Sequence, residues 1–153
     1  MKVVVQRVLN SSVVIDDKYE EKINKGLMIL LGMTYNDGIE DIDYLVNKIL
    51  NLRIFEKDNK MNLSVKDING DILLIPQFTL YANPYDGNRP SFNEALNKEE
   101  AEKLFFIFKE KISSIYDNVK FGKFGSDMKV SLINDGPITI IIESNEKVKK
   151  WKE

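Results

Sequence analysis

The 153-residue chain contains no cysteine and no histidine. Without cysteine it has no disulfide, thiolate nucleophile or iron–sulfur site, and this composition fits a reducing cytosol. Without histidine it has no Ser-His-Asp or Cys-His triad, no HExxH zinc site and no imidazole base near neutral pH. A metal would need carboxylate and carbonyl ligands, and no EF-hand spacing is present, so we expect neither a metal nor a cofactor.

Charge and hydropathy limit the possible partners. The sequence has 22 Lys and Arg against 24 Asp and Glu, a formal net charge of −2. Duplex-DNA binders normally carry a basic excess, so we expect no DNA partner. The apolar runs are far shorter than the roughly 20 residues that span a membrane, and the N-terminal run is too short for a signal peptide. We therefore expect a cytoplasmic protein with no membrane partner and a single domain, residues 1–153, with a charged tail from about residue 144.

Short apolar or β-branched runs between turn residues predict the strands. They lie at residues 3–9, 12–15, 19–23, 26–33, 63–65, 72–75, 128–132 and 138–142. The run at 26–33 is apolar almost throughout, which predicts a strand buried on both faces. Asn69-Gly70 predicts a hairpin that joins the strands at 63–65 and 72–75, after a polar loop at 56–60.

Two segments keep the helical period. The first runs from Ile42 to Leu52, with Asp37 as its cap, and the second begins at Asn97 with a capping box and continues to Ile115. Residues 81–91 are rich in proline, glycine and asparagine, which predicts an irregular surface loop. Strands grouped in runs between these helices favour an α+β fold with largely antiparallel sheet.

Two short segments are candidates for chemistry. In the segment Pro76-Gln77-Phe78-Thr79-Leu80 the proline marks a strand edge, bulge or end, where backbone N–H groups are exposed. Such groups beside a threonine hydroxyl would stabilise an oxyanion by about 3–4 kcal/mol per donor, although an edge strand with satisfied side chains is the ordinary explanation of these residues taken alone. The second segment is Gly136-Pro137, which predicts a turn and leaves the isomer of its peptide bond open.

The chain as a whole resembles the D-aminoacyl-tRNA deacylases, up to about Ser144. The segments that carry this resemblance are Gln6-Arg7-Val8, residues 76–80, residues 87–92, residues 124–130 and residues 134–139. The resemblance implies an antiparallel, barrel-like core flanked by two main helices. It also implies an enzyme that hydrolyses the ester joining a D-amino acid, or glycine, to the 3′ end of tRNA.

The resemblance assigns Gln77, Phe78 and Thr79 to the catalytic pocket. The backbone N–H of Phe78 is expected to bind the carbonyl oxygen of the ester. Thr79 is either a nucleophile or a group that positions attack by water, assisted by the 2′-hydroxyl of the ribose. We favour positioning, because a threonine nucleophile needs a base and the chain has no histidine to supply one.

The resemblance also implies a homodimer. Gly136 and Pro137, joined by a cis bond, are expected to reach into the partner's pocket, accept the α-ammonium group of the substrate and exclude an L side chain, but not glycine. Arg7 is expected to brace this element, with an ordinary surface charge as the alternative. Arg89 is a candidate contact to a tRNA phosphate, or else bonds within its own loop.

One residue departs from the family pattern, and two other readings compete. Pro76 stands where the family usually has serine, which affects fine specificity but not a contact made by backbone groups. The first competing reading is a catalytically inert tRNA-binding or interaction module of the same fold. The second is a carboxylate-dependent hydrolase built on Asp127, Asp135 or Glu143.

Overall fold

The computed structural model describes residues 1–146. The strands are β1 (Lys2–Ile15), β2 (Tyr19–Ile23), β3 (Gly26–Gly32), β4 (Phe55–Lys57), β5 (Lys60–Leu63), β6 (Asp71–Pro76), β7 (Val119–Phe121) and β8 (Met128–Glu143), and the helices are α1 (Ile39–Asn51), a 3₁₀ helix (Phe78–Tyr81) and α2 (Lys98–Ile115). Most of the predicted charged tail lies outside the described residues. Ser144, its expected start, is buried and donates its N–H to the carbonyl of Met1 at 2.9 Å.

Strand β1 organises the sheet because it is long enough to pair with three strands. Along one edge its first half pairs with β3 and its second half with β2, and β8 pairs along its other edge, all antiparallel. Strand β6 then pairs with β3, and β7 with β6, both in parallel. The free side of β7 approaches β2, where Lys120 Nζ lies 3.9 Å from Glu21 Oε2. The sheet is therefore a nearly closed barrel, and the predicted α+β fold with a barrel-like core is confirmed.

The two helices cover one face of this sheet. Helix α1 buries Ile42, Leu45, Val46 and Ile49, and helix α2 buries Ala101, Phe105, Phe108 and Ile112. These residues share one core with Leu27, Ile29 and Leu31 of β3, whereas Met28 packs into a second cluster on the opposite face. Strand β3 is thus buried on both faces, as its apolar run predicts.

The predicted hairpin at Asn69-Gly70 is wrong. Strand β5 pairs instead with β4, in a hairpin that spans and extends beyond the expected polar loop at 56–60, through a turn at Asp58 and Asn59 whose φ angles are 55° and 62°. Strand β6 consists almost entirely of buried residues, so it belongs between β3 and β7. Strand β5 is mostly exposed, so pairing with it would not bury β6. Burial therefore overrides the turn signal.

Smaller differences concern the ends of elements. The cap of α1 is Gly38 rather than Asp37, and the Asp41 carboxylate accepts the Gly38 N–H at 2.9 Å. Asp37 instead accepts the Met1 ammonium at 2.5 Å. The two predicted first strands form one continuous β1, which bends through shifts in its register with β8. The predicted turn at 134–137 lies within β8 at this bend.

Candidate active site

A cavity of about 570 Å³ opens at the end of β6. It lies between the ends of β3 and β6, the start of α2 and the loop that joins β7 to β8. Its lining residues are Leu31, Met33, Ile75, Pro76, Gln77, Phe78, Leu96, Lys98, Ala101, Phe124, Gly125, Ser126, Asp127, Met128 and Val130. Most of these side chains are apolar and a few are polar or charged, which is the composition of a small-molecule binding site.

The segment that follows β6 leaves two backbone donors unpaired. Pro76 is the last residue of β6, two residues beyond the end of its pairing with β7, so the predicted strand end is confirmed. The chain then turns into the 3₁₀ helix, whose first bond runs from the Leu80 N–H to the Gln77 carbonyl. Within residues 1–146 the N–H groups of Phe78 and Thr79 therefore have no acceptor, as is usual in the first turn of a helix.

The side chains of this segment are held by short local contacts. The amide of Gln77 donates a hydrogen bond to the Thr79 hydroxyl oxygen. The Phe78 ring is 54% exposed and meets Phe92 edge to face, with 5.1 Å between the ring centres. Gln77 and Phe78 line the cavity, and Thr79 is exposed beside it. The three predicted catalytic residues are thus adjacent at the rim of one cavity.

The opposite wall is the loop 124–128, which hydrogen bonds fasten to the β1–β2 turn. The Asp127 N–H donates to the Asp16 carboxylate at 3.1 Å, and the Asp127 carbonyl accepts the Asp16 N–H at 2.9 Å. Lys129 Nζ lies 2.8 Å from the Asp127 carboxylate and 3.0 Å from that of Asp17. These two carboxylates raise the pKa of Lys129. The wall of the cavity is therefore fixed by a distant turn of the barrel.

Sequence reasoning did not predict two features of this cavity. The loop 124–128 entered as a segment of the family resemblance, and its Asp127 as a candidate of the competing hydrolase, but the loop was not expected to form a cavity wall, although Gly125, with a φ of 74°, marks a turn between β7 and β8. Lys98, at the start of α2, lines the cavity and looks like an ordinary exposed lysine in the sequence. A Cβ added at Gly125 would lie 3.4 Å from Lys98 Nζ, so this cation sits directly against the loop.

Gly136 and Pro137 do not line this cavity. Both are exposed, their peptide bond is cis, and the φ of Gly136 is 120°. The side chain of Asn134 closes the bend by donating to the carbonyls of Arg7, at 3.0 Å, and Ile138, at 2.9 Å. Within one chain the structure therefore does not bring the Gly-Pro element together with the Gln77–Thr79 segment.

Arg7 is buried and contacts the residue before Gly136. Its Nε lies 3.2 Å from the Asp135 carbonyl and 3.4 Å from the Asp135 carboxylate, and its Nη1 donates to the Ile54 carbonyl at 2.8 Å. Glu56 adds a longer ion pair at 3.8 Å. The guanidinium thus joins β1, the start of β4 and the bend in β8, so Arg7 is not an ordinary surface charge.

The remaining candidates divide between the cavity and the surface. Asp127 lines the cavity, but it pairs with Lys129. Asp135 pairs with Arg7 and Glu143 with Lys2, so each of the three carboxylates has a cation as its partner. Arg89 is exposed and has no hydrogen bond or ion pair within residues 1–146. In the same part of the chain, no group of three or more acidic side chains would hold a metal ion.

The helices of residues 1–146 include none long and apolar enough to cross a membrane.

Two solved structures resemble this protein over most of its length. The solved structure of a protein named "c-Myc DNA Unwinding Element Binding Protein" matches with a TM-score of 0.87 and 40% identity over 94% of this chain and 98% of that chain. The structure of a probable eukaryotic D-amino acid tRNA deacylase matches in fold, with a TM-score of 0.81 and 16% identity over 92% and 97% of the two chains.

Curated relatives match more of the sequence. The protein of Flavobacterium psychrophilum named D-aminoacyl-tRNA deacylase is 54% identical over 96% of this chain and 99% of its own length. That of Fusobacterium nucleatum, with the same name, is 49% identical over 95% and 97%. The family model described as D-Tyr-tRNA(Tyr) deacylase matches residues 4–143. The chain therefore belongs to the D-Tyr-tRNA(Tyr) deacylase family, a family of hydrolases that act on ester bonds.

Proposed function

We propose that this protein hydrolyses the ester bond between a D-amino acid, or glycine, and the 3′-terminal ribose of tRNA, which releases free tRNA. The observation that carries the proposal, together with the family, is the pair of unpaired N–H groups of Phe78 and Thr79 beside the cavity. Two fixed donors about 3 Å from an ester oxygen stabilise the negative charge that develops on it. Each contributes about 3–4 kcal/mol in well-studied acyl-transfer sites.

Water is the nucleophile in this mechanism. Its oxygen bonds to the ester carbon, the carbonyl oxygen takes the negative charge, and the bond to the 3′-oxygen breaks as that oxygen receives the proton from water. The 2′-hydroxyl of the ribose assists the proton transfer, and Thr79 positions it. Thr79 is a poor nucleophile, because its oxygen already accepts a hydrogen bond from Gln77, and the carboxylate that lines the cavity, Asp127, pairs with Lys129.

The active site is completed in a homodimer. Gly136 and Pro137 are exposed and lie outside the cavity of their own chain, so a second copy is the source that brings them to it. The exposed face of β8 carries Ile133 and Ile141, which are 50% and 64% exposed, and a dimer gives them cover. The carbonyls of the Gly-Pro element accept the α-ammonium group, and its backbone occupies the space that an L side chain needs.

Arg7 and Arg89 serve this site from outside it. Arg7 fixes the bend in β8 through its contacts to Asp135 and is therefore a positioning residue. Arg89 is free to contact a tRNA phosphate, because nothing in residues 1–146 pairs with its side chain. Pro76 in place of serine leaves the mechanism intact, since the proposed contacts to the ester oxygen come from the backbone.

The biological role is proofreading in the cytoplasm, within a single-domain protein. An enzyme that removes D-amino acids and misplaced glycine from tRNA returns that tRNA to correct charging. The charge balance of the chain fits a protein that holds only the end of the tRNA, since a net charge of −2 supplies little general attraction to phosphates.

A second candidate is the catalytically inert nucleic-acid-binding module. It is favoured by one observation, the name of a solved relative, which describes that relative as the binding protein of a DNA element. Such a module has no use for unpaired donors beside a cavity, and we rank it second. It predicts RNA binding without turnover.

The experiment compares hydrolysis of D-tyrosyl-, L-tyrosyl- and glycyl-tRNA by the purified protein. We expect the D-tyrosyl and glycyl esters to be cleaved and the L-tyrosyl ester to be spared. Thr79→Ala separates the two roles of Thr79, because loss of a nucleophile abolishes turnover, whereas loss of a positioning hydroxyl leaves a slow reaction. Ser113→Ala removes an exposed hydroxyl on α2, outside the cavity lining, and is the matched control.

The outcomes separate the candidates. Cleavage of the D ester but not the L ester supports a deacylase that excludes L side chains. Cleavage of both esters contradicts this exclusion but leaves the hydrolase activity supported. Binding of tRNA without hydrolysis of any ester supports the inert module and contradicts the enzyme. A protein that is monomeric in analytical ultracentrifugation and yet fully active in the hydrolysis assay contradicts the shared pocket.

A further inference from the structure

A second cavity, of about 560 Å³, lies where the barrel does not close, between β2, β7 and α2. We propose that this seam cavity binds the nucleotide that precedes the terminal nucleoside of tRNA. The inference rests on the proposed function and extends it, because it makes the recognised ligand a single-stranded RNA end rather than one aminoacyl nucleoside.

The seam cavity presents aromatic rings to solvent. Phe106 is 60% exposed and Tyr19 is 54% exposed, and the partly buried Phe121 and Phe124 lie in the same wall. Phe106 is outside the buried stripe of α2, so packing of the helix does not require a ring there. Exposed rings on a groove bind single-stranded nucleic acid by stacking on its bases.

Lysines stand beside these rings. Lys109, Lys120 and Lys123 all line the seam cavity. The Lys109 ammonium lies 4.9 Å from the centre of the Phe121 ring, which holds the cation over an aromatic face inside the groove. Rings interleaved with cations match the two parts of a nucleotide, its base and its phosphate.

The carboxylates of the seam cavity leave its charge positive. Glu21 accepts a hydrogen bond from the Tyr19 hydroxyl and lies 3.9 Å from Lys120 Nζ, so its charge is partly neutralised. The other lining carboxylate is Glu102, and the two remaining lining lysines, Lys109 and Lys123, outnumber it. A groove with this balance attracts a phosphate-bearing chain more than an acidic or apolar one.

The seam cavity adjoins the candidate active site. Phe124 lines both cavities, and its ring packs on Phe105 with 6.1 Å between the centres. Lys98 lies against Gly125 on one side of this shared wall, and Lys123 lines the cavity on the other. A chain whose last nucleoside enters the first cavity therefore carries its preceding phosphate past two lysines.

A peptide is a poorer occupant of the same groove. Binding of an extended peptide to a sheet edge needs a run of free backbone groups, and β7 is 3 residues long. A volume of about 560 Å³ instead falls within the range of small-ligand pockets. The seam therefore fits one nucleotide better than a strand of protein.

The test compares two substrates that differ only beyond the terminal nucleoside, D-tyrosyl-tRNA and D-tyrosyl-adenosine. We expect Phe106→Ala to lower kcat/KM for D-tyrosyl-tRNA about tenfold or more, by loss of stacking on one base, and to change it less than about twofold for D-tyrosyl-adenosine. Ile115→Ala is the matched control, because Ile115 is 53% exposed on the same helix and does not line either cavity.

A binding measurement separates this inference from the proposed function. If the wild-type protein cleaves neither substrate, the proposed function is wrong, and fluorescence anisotropy with a labelled CCA trinucleotide still tests the seam. Weaker trinucleotide binding by Phe106→Ala than by Ile115→Ala supports the inference. Equal losses on the two substrates, unchanged kinetics on tRNA, or trinucleotide binding that Phe106→Ala does not weaken would each overturn it.

Discussion

The carboxamide of Gln77 donates a hydrogen bond to the hydroxyl oxygen of Thr79, two residues along the chain. An amide can only donate through its nitrogen, so the hydroxyl is the acceptor of this pair and its own proton is left free for another partner. Thr79 is thereby oriented as a donor at the rim of the cavity. A hydroxyl oriented in this way suits donation to an oxygen of the substrate, such as the ribose 2′-hydroxyl that it positions in the proposed mechanism, better than attack on a carbonyl carbon.

This orientation predicts different effects for two variants of Gln77. Gln77→Met removes the hydrogen bond, whereas Gln77→Glu replaces the donor by a carboxylate that accepts a hydrogen bond from the Thr79 hydroxyl and adds negative charge beside the oxyanion. We expect Gln77→Glu to lower kcat about 100-fold, as for loss of an oxyanion donor, and Gln77→Met to lower it less. Steady-state kinetics on D-tyrosyl-tRNA checks this, and equal kcat values for the two variants would contradict the orientation.

Gly136→Ala is expected to impair activity by displacing its neighbours. The added Cβ would lie 3.0 Å from Ile138 Cγ1 and 3.1 Å from Arg7 Nη2, at a φ of 120° that L residues rarely adopt. We expect a cost of about 1–3 kcal/mol in the free energy of unfolding and a loss of discrimination between D and L esters. Gly87→Ala is the control, because Gly87 also has positive φ but no neighbour within 4 Å. Unchanged discrimination in Gly136→Ala argues against its role.

Arg7→Lys keeps the positive charge but loses the planar fork that reaches Asp135 and Ile54 together. Because the site is buried, an acceptor left without a donor costs about 1–3 kcal/mol. If Arg7 positions the Gly-Pro element, hydrolysis of L-tyrosyl-tRNA rises relative to that of the D ester. A merely structural arginine predicts a lower melting temperature with an unchanged D-to-L ratio, and this ratio is the deciding measurement.

Alkaline pH is expected to destabilise the fold through Tyr81. Partial burial, and then the carboxylates of Asp37, Glu143 and Asp41, raise the pKa of its hydroxyl. In the unfolded chain tyrosine ionises near about pH 10, so stability falls as pH rises above this value while the folded protein retains its proton. One proton limits this slope to about 1.4 kcal/mol per pH unit, and the partial exposure of the ring reduces the total loss through solvent screening.

Tyr81→Phe measures this contribution. Urea unfolding of the variant between about pH 9 and pH 11 is expected to show a flatter decline in the free energy of unfolding than that of the wild-type protein. Tyr85→Phe is the control, since Tyr85 is 90% exposed. Parallel curves for the wild-type protein and Tyr81→Phe would show that Tyr81 does not titrate differently on folding.

The sequence predicts the fold best where burial and period agree. The apolar run of β3 is buried on both faces, and the apolar stripe of each helix packs into the core, so the predicted positions of these three elements are confirmed. The hairpin at Asn69-Gly70 fails because two segments carry residues that tolerate positive φ, and only tertiary burial decides that the turn at Asp58-Asn59 is the hairpin. The residues of a turn do not indicate that the buried strand β6 pairs with β3 and β7 rather than with the strand before it in sequence.

The site is predicted less completely than the fold. The segment 76–80 is visible in sequence because proline ends a strand and releases the donors that follow it. That the loop 124–128 and Lys98 line the cavity is not visible in sequence, because they face it only through the packing of β7 and α2 against β6. The fastening of that loop by Asp16 joins residues 111 positions apart, a separation at which no local pattern operates.

The continuity of β8 has a consequence for cooperativity. Its first residues place Met128 and Val130 in the cavity wall, and the same strand carries Pro137 roughly 20 Å further along. In the proposed dimer each β8 therefore belongs to two reaction centres, its own and that of the second copy. We therefore expect a shift of the strand in one pocket to reach the selective element of the other, so that turnover by the two halves of the proposed dimer is interdependent.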